Sequence, residues 1–111
     1  MAAWRFSLAD VTSALAELPD GGRFHYALRH GSMKVGLYAP RGTDPQESHK
    51  QDELYIVSSG TGVFVKGDER REIGPQDVLF VEAGVPHRFE AFTDDFATWV
   101  IFWGPNGGEP A

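Results

Sequence analysis

Turn signals recur along this chain at roughly eight-to-twelve-residue spacing, and that rhythm constrains the fold more than any other feature. His30-Gly31-Ser32, Ser58-Ser59-Gly60-Thr61-Gly62, Lys66-Gly67-Asp68-Glu69, Gly74-Pro75-Gln76-Asp77 and Thr93-Asp94-Asp95 each interrupt a short alternating or apolar run. The 13 glycines and 7 prolines among 111 residues supply such turns. Many short strands with little helix read as an all-β sandwich or barrel.

The strands can be placed by alternation. Between Arg23 and His30, Phe24, Tyr26 and Leu28 fall on one face and His25 and Arg29 on the other. Met33, Val35, Leu37 and Ala39 alternate next, so the two runs predict a hairpin. Tyr38 faces either a cavity or the core. The run from Phe96 to Trp103 is apolar on both sides: Phe96, Thr98, Val100 and Phe102 on one, Ala97, Trp99, Ile101 and Trp103 on the other. It is expected to be covered twice, inside the barrel and by a second sheet or a second subunit, and a homodimer is the corresponding expectation.

One helical pattern exists. Leu8, Val11, Leu15 and Leu18 recur at helical spacing after Ser7, and Ser7 with Asp10 resembles a capping box. Pro19-Asp20-Gly21-Gly22 ends it. The expected organisation is an N-terminal helical segment over residues 1–22 packing on a sheet, a single barrel domain over 23–103, and a flexible tail over 104–111.

Composition removes several classes of function. The formal charge is −6 with no basic cluster, which argues against a nucleic-acid or anionic membrane surface. There is no cysteine, hence no disulfide, thiolate ligand or thiol nucleophile. The first residues, Met1-Ala2-Ala3-Trp4-Arg5-Phe6, lack the apolar core of a signal peptide, and no apolar run is long enough for a membrane helix. A cytoplasmic protein is the expectation.

Chemistry concentrates in Pro45–Val57. Extended from Glu47 onward, Glu47, His49, Gln51 and Glu53 share one face, which Tyr55 and Val57 continue. Burying that set is costly unless something pairs with it. A metal would pair with it; solvated charges at a hairpin entrance are the alternative reading. A second element lies downstream, where Val78-Leu79-Phe80-Val81 is followed by the turn Glu82-Ala83-Gly84-Val85-Pro86 and then His87. His25 and His30 have no carboxylate at ligand spacing and read as surface or turn residues.

These two elements resemble the paired motifs of a small single-domain cupin. The first cupin motif runs G-x5-H-x-H-x3,4-E-x6-G; here His49, three residues, Glu53, six residues and Gly60 follow it. Glu47 stands where the family has its first histidine, and Gly42 is one residue closer than the pattern asks. The second motif runs G-x5-P-x-G-x2-H-x3-N; Gly84, two residues and His87 match, while Glu82 replaces the proline, Ala91 the asparagine, and Gly74 is shifted by two. The resemblance extends from about Val35 to Phe102. It implies a jelly-roll cupin β-barrel and a divalent metal ion (Fe, Zn, Mn or Ni) held by His49, Glu53 and His87. Glu47 carries over by position only, as a fourth ligand or a solvent-facing side chain. A small-molecule enzyme of oxygenase or isomerase/lyase type is implied, with Glu47 or a nearby carboxylate moving the proton in the latter. The alternative is a non-catalytic module binding a small molecule or a metal.

Overall fold

The computed structural model describes residues 4–19 and 22–110. Helix α1 spans Leu8–Ala16, and the strands are β1 (Phe24–His30), β2 (Met33–Tyr38), β3 (Asp52–Ser59), β4 (Gly62–Lys66), β5 (Glu69–Ile73), β6 (Val78–Val81), β7 (His87–Glu90) and β8 (Ala97–Trp103). The strands form two antiparallel sheets, ordered β1-β2-β8-β3-β6 and β5-β4-β7. No ladder among the described residues joins them into a closed barrel, so this is a jelly roll in its double-sheet form.

The core lies between the sheets. Tyr55, Val57, Val81, Val100 and Phe102 from the larger sheet meet Phe64, Ile73 and Phe89 from the smaller, with Phe96. The Phe89 ring sits 5.0 Å from both Tyr55 and Phe64 and 4.9 Å from Phe96, the tilted and edge-on spacings that aromatic quadrupoles favour. Gly60 makes the turn leading into β4 possible. Its φ is +75°, and a Cβ there would lie 2.6 Å from the Phe96 backbone.

The two-sided last strand has a physical answer. Phe96, Thr98, Val100 and Phe102 are buried inward. On the outer side, α1 packs Val11 and Leu15 against Leu37, Ala97 and Trp99. The helix opens with the expected capping box, Asp10 N–H donating to Ser7 Oγ and Ser7 N–H to Asp10 Oδ2. It ends at Ala16 with Glu17 as its cap, short of Leu18; of the expected stop signal, Asp20 and Gly21 lie outside the described residues.

Two expectations need correction. β1 does not alternate throughout: a bulge between Tyr26 and Leu28 shifts the register, so Leu28 pairs with Val35 and Arg29 with Lys34. The segment from Glu47 to Gln51 is not strand, because β3 starts at Asp52. The described part of the tail is hydrogen-bonded to the domain. Gly107 N–H donates to Lys50 O at 2.7 Å, Glu109 N–H to Asp52 Oδ2 at 2.9 Å, and Gly104 N–H to Ser32 Oγ at 3.0 Å.

Candidate metal centre

Strand geometry delivers the first ligand. In β3, Glu53, Tyr55 and Val57 face inward and are buried, while Leu54 and Ile56 face out. His87 is the first residue of β7 in the opposite sheet, so the site bridges the two layers. Gly84, at φ +82°, turns the chain into β7, and its N–H donates to His49 O at 2.8 Å. That bond fixes the two histidine-bearing segments to each other. Asp52 adds a second tie, accepting from Ala83 N–H at 3.0 Å.

The ligand atoms of His49, Glu53 and His87 lie within 4.8 Å of one another. Glu53 is 1% exposed, and neither carboxylate oxygen has a hydrogen-bond partner among the described residues. His87 Nε2 approaches Glu53 Oε1 to 3.0 Å, and His49 Nε2 stands 3.8 Å away. The His87 ring is oriented from behind: Nδ1 lies 2.9 Å from Val85 O, a pure acceptor, so Nδ1 carries the proton. In the neutral ring the Nε2 lone pair then points at a buried carboxylate. The Tyr55 hydroxyl also lies 3.0 Å from that nitrogen. A proton or a metal ion between Nε2 and Glu53 relieves the facing lone pairs, and a backbone carbonyl holding the far ring nitrogen is how metal-bound histidines are commonly set. The donor set, two imidazoles and a carboxylate, suits a divalent transition metal.

The electrostatics agree. Burial opposes protonation of His87, but the Glu53 carboxylate, the Val85 carbonyl and the charges of Glu53 and Asp44 outweigh it and raise its pKa. A positive charge is thus drawn to this nitrogen even as a proton. His49 goes the other way: burial lowers its pKa despite the pull of Glu53, which favours the neutral form a metal requires.

Glu47 is not brought to this cluster. It is exposed on the irregular segment before β3, because the alternation that would place it beside His49 starts only at Asp52. Gln46 occupies that approach instead. Its Oε1 accepts from the Tyr55 hydroxyl at 3.0 Å and lies 3.3 Å from His49 Nε2, while its Nε2 donates to Asp44 Oδ2 at 2.6 Å. Buried Asp44 also accepts from the Tyr38 hydroxyl and from Phe89 N–H at 2.8 Å. Gln51 turns its amide to Ser32 O and Gly104 O. Asp44 and Gln46 carry no local sequence pattern; only the fold reveals them.

Above the cluster opens a cavity of about 410 Å³. Phe24, Tyr26, Val100 and Phe102 make an apolar wall, and Lys34 and Tyr38 add polar atoms. Burial, then the hydrogen bond to Asp44, pushes the Tyr38 phenol far above its usual range. Tyr55 rises likewise, from burial first and the Glu53 charge second, so both phenols stay protonated.

A family profile for the cupin domain (Cupin_2) matches residues 35–103. An uncharacterized protein of Streptomyces coelicolor is 38% identical over 88 residues, 78% of this chain and 84% of that protein. The dimethylsulfoniopropionate lyase DddQ of Ruegeria pomeroyi is 30% identical over 73 residues, 65% of this chain but only 34% of that enzyme. A cupin-2 domain containing protein from Shewanella frigidimarina superposes with a TM-score of 0.70 at 17% identity, over 89% of this chain and 94% of that one, a likeness of fold. Two in-order motifs, a two-sheet jelly roll and a profile spanning β2 to β8 together place the chain in the cupin domain family.

Proposed function

We propose that the chain is a metal-dependent cupin that binds a small organic molecule in the cavity beside His49, Glu53 and His87 and acts on it by proton transfer, as a lyase or isomerase. The observation that carries this reading is the buried Glu53 carboxylate clustered with the His49 and His87 imidazoles at the edge of an open cavity. A metal there would supply Lewis acidity toward a ligand oxygen. His49, Glu53 and His87 would hold it. Tyr55, kept protonated by burial, donates its one proton to Gln46 Oε1 and so holds that amide beside His49. Gln46, fixed by Asp44, sets the direction of that phenol. The apolar wall excludes water around the ligand body. Similarity to a lyase, over a third of that enzyme's length, favours this chemistry over oxygenation. The same donor set serves non-heme iron oxygenases, so the identity of the metal selects the assay.

The test is elemental analysis of untagged protein beside a His49→Ala/His87→Ala variant. About one equivalent of metal in the wild type and none in the variant is the expected result. Iron would direct assays to oxygen uptake; zinc or manganese, to lyase and isomerase screens. No metal in either protein, even after reconstitution, overturns the proposal and leaves a ligand-binding module.

A further inference from the structure

One row of residues crosses the inner face of the larger sheet. Arg29 of β1 pairs with Lys34 of β2, Lys34 with Phe102 of β8, and Phe102 with Glu53 of β3. Directly opposed residues share a face, and Phe102 and Glu53 are both buried, so Lys34 points inward and the bulge brings Arg29 to the same side. The Lys34 ammonium sits 5.3 Å from the Phe102 ring centroid, and the Arg29 guanidinium 4.1 Å from that of Tyr26. Tyr26, Lys34 and Phe102 all line the cavity.

Among the described residues neither cation has a carboxylate or hydrogen-bond partner, although the chain carries 16 acidic against 10 basic residues. Lys66, Arg70, Arg71 and Arg88, by contrast, each meet a glutamate. Two like charges directly opposite on one face destabilise a sheet. Here Lys34 lines the open cavity, and Arg29, exposed, stacks on Tyr26, which lines it too. A guanidinium fork beside an ammonium matches a carboxylate.

We propose that the ligand of this cavity is a small organic carboxylate with an apolar body, its charge held by Lys34 with Arg29 and its other end directed at His49, Glu53 and His87. This deepens the function proposed above and rests on that reading for what happens at the far end. Phe24, Tyr26, Val100 and Phe102 take the body; Lys34 sets specificity by charge.

The test is calorimetric titration with 3-phenylpropionate and its uncharged isostere 3-phenylpropanamide, on metal-free and metal-loaded protein. Wild type should bind the acid about tenfold or more tightly than the amide, with affinity falling as salt rises. Lys34→Met should lose about tenfold for the acid and nothing for the amide, and Lys34→Arg should retain the preference. The Met variant should keep wild-type metal content and melt no lower than wild type, since a like-charge contact is gone. Equal affinity for acid and amide, an unchanged acid affinity in Lys34→Met, or no binding of either probe overturns the proposal. The metal-free arm separates the two readings: an anion preference there survives failure of the metal centre.

Discussion

Asp44 tests whether the site is built by tertiary contacts rather than by the motif residues. β7 is an edge strand of the smaller sheet, and Phe89 N–H is turned away from β4 to Asp44 Oδ2 at 2.8 Å. Asp44→Ala removes that acceptor where no water reaches, since Phe89 is 1% exposed. An unsatisfied buried amide costs about 1–3 kcal/mol. The Tyr38 hydroxyl and the Gln46 amide lose the same partner but sit beside the cavity, where water replaces it at little cost. The expected total is about 2–3 kcal/mol, or about 8–12 °C in melting temperature for a domain of this size. Asp44→Asn keeps one acceptor for Phe89 and should lose less. Scanning calorimetry reads the first quantity, and amide exchange at Phe89 locates it. Metal content should be unchanged, because Asp44 is not in the ligand cluster. An Ala variant melting with the wild type, or a Phe89 amide as protected as before, would refute the reasoning.

Two further outcomes are expected. Ala91 holds φ +49°, a left-handed conformation costly for a residue with a Cβ, at the position where the cupin motif has asparagine. Ala91→Gly should therefore raise stability by about 1 kcal/mol, seen as a higher urea midpoint; a lower midpoint would show that the turn is not strained. The Asp52 carboxyl is held below its ordinary range by hydrogen bonds from Glu109 N–H, then Ala83 N–H. A depressed folded-state pKa gives stability that is complete above the unfolded value and lost as pH falls through the folded one. The stability gap between wild type and Asp52→Asn, measured by urea unfolding, should thus be wide at neutral pH and close below about pH 4; a constant gap would contradict the linkage.

Local patterns carried the parts of this fold that are local. Alternation in Met33–Ala39 and Phe96–Phe102 predicts strands because each run has a continuous apolar face: Val35 and Leu37 oppose Ile101 and Trp99 on the side that α1 covers, and Val100 and Phe102 lie in the core. The spacing of His49, Glu53 and Gly60 works for a similar reason: Glu53 is in register with the buried face, and Gly60 must turn where Phe96 crowds it. Alternation failed where the backbone leaves the ladder. The bulge after Tyr26 reverses the faces of β1, and the coil before Asp52 presents Gln46 to the site and Glu47 to solvent. The tail looked free because its composition is that of a loop, yet its anchors, Lys50, Asp52 and Ser32, are distant in sequence.

Charge along the inner row ties these findings together. Glu53 is a carboxylate inside the core, and Lys34 and Arg29, without an ionic partner among the described residues, lie two and three strands away on the same face. Adjacent strands are spaced at about 4.8 Å, so the Glu53 and Lys34 backbones stand about 10 Å apart with Phe102 between them. Lys34 does not neutralise Glu53 here: its ammonium lies 5.3 Å from the centroid of the intervening Phe102 ring, and both residues line the cavity. A divalent ion, if held by one carboxylate and two neutral imidazoles, would leave one net positive charge at the deep end. The loaded cavity is then cationic at both ends inside a chain of net charge −6. The ligand's carboxylate is then favoured at the Lys34 end whether or not the metal site is filled, and a second donor group on the ligand would be the part that reaches His49, Glu53 and His87.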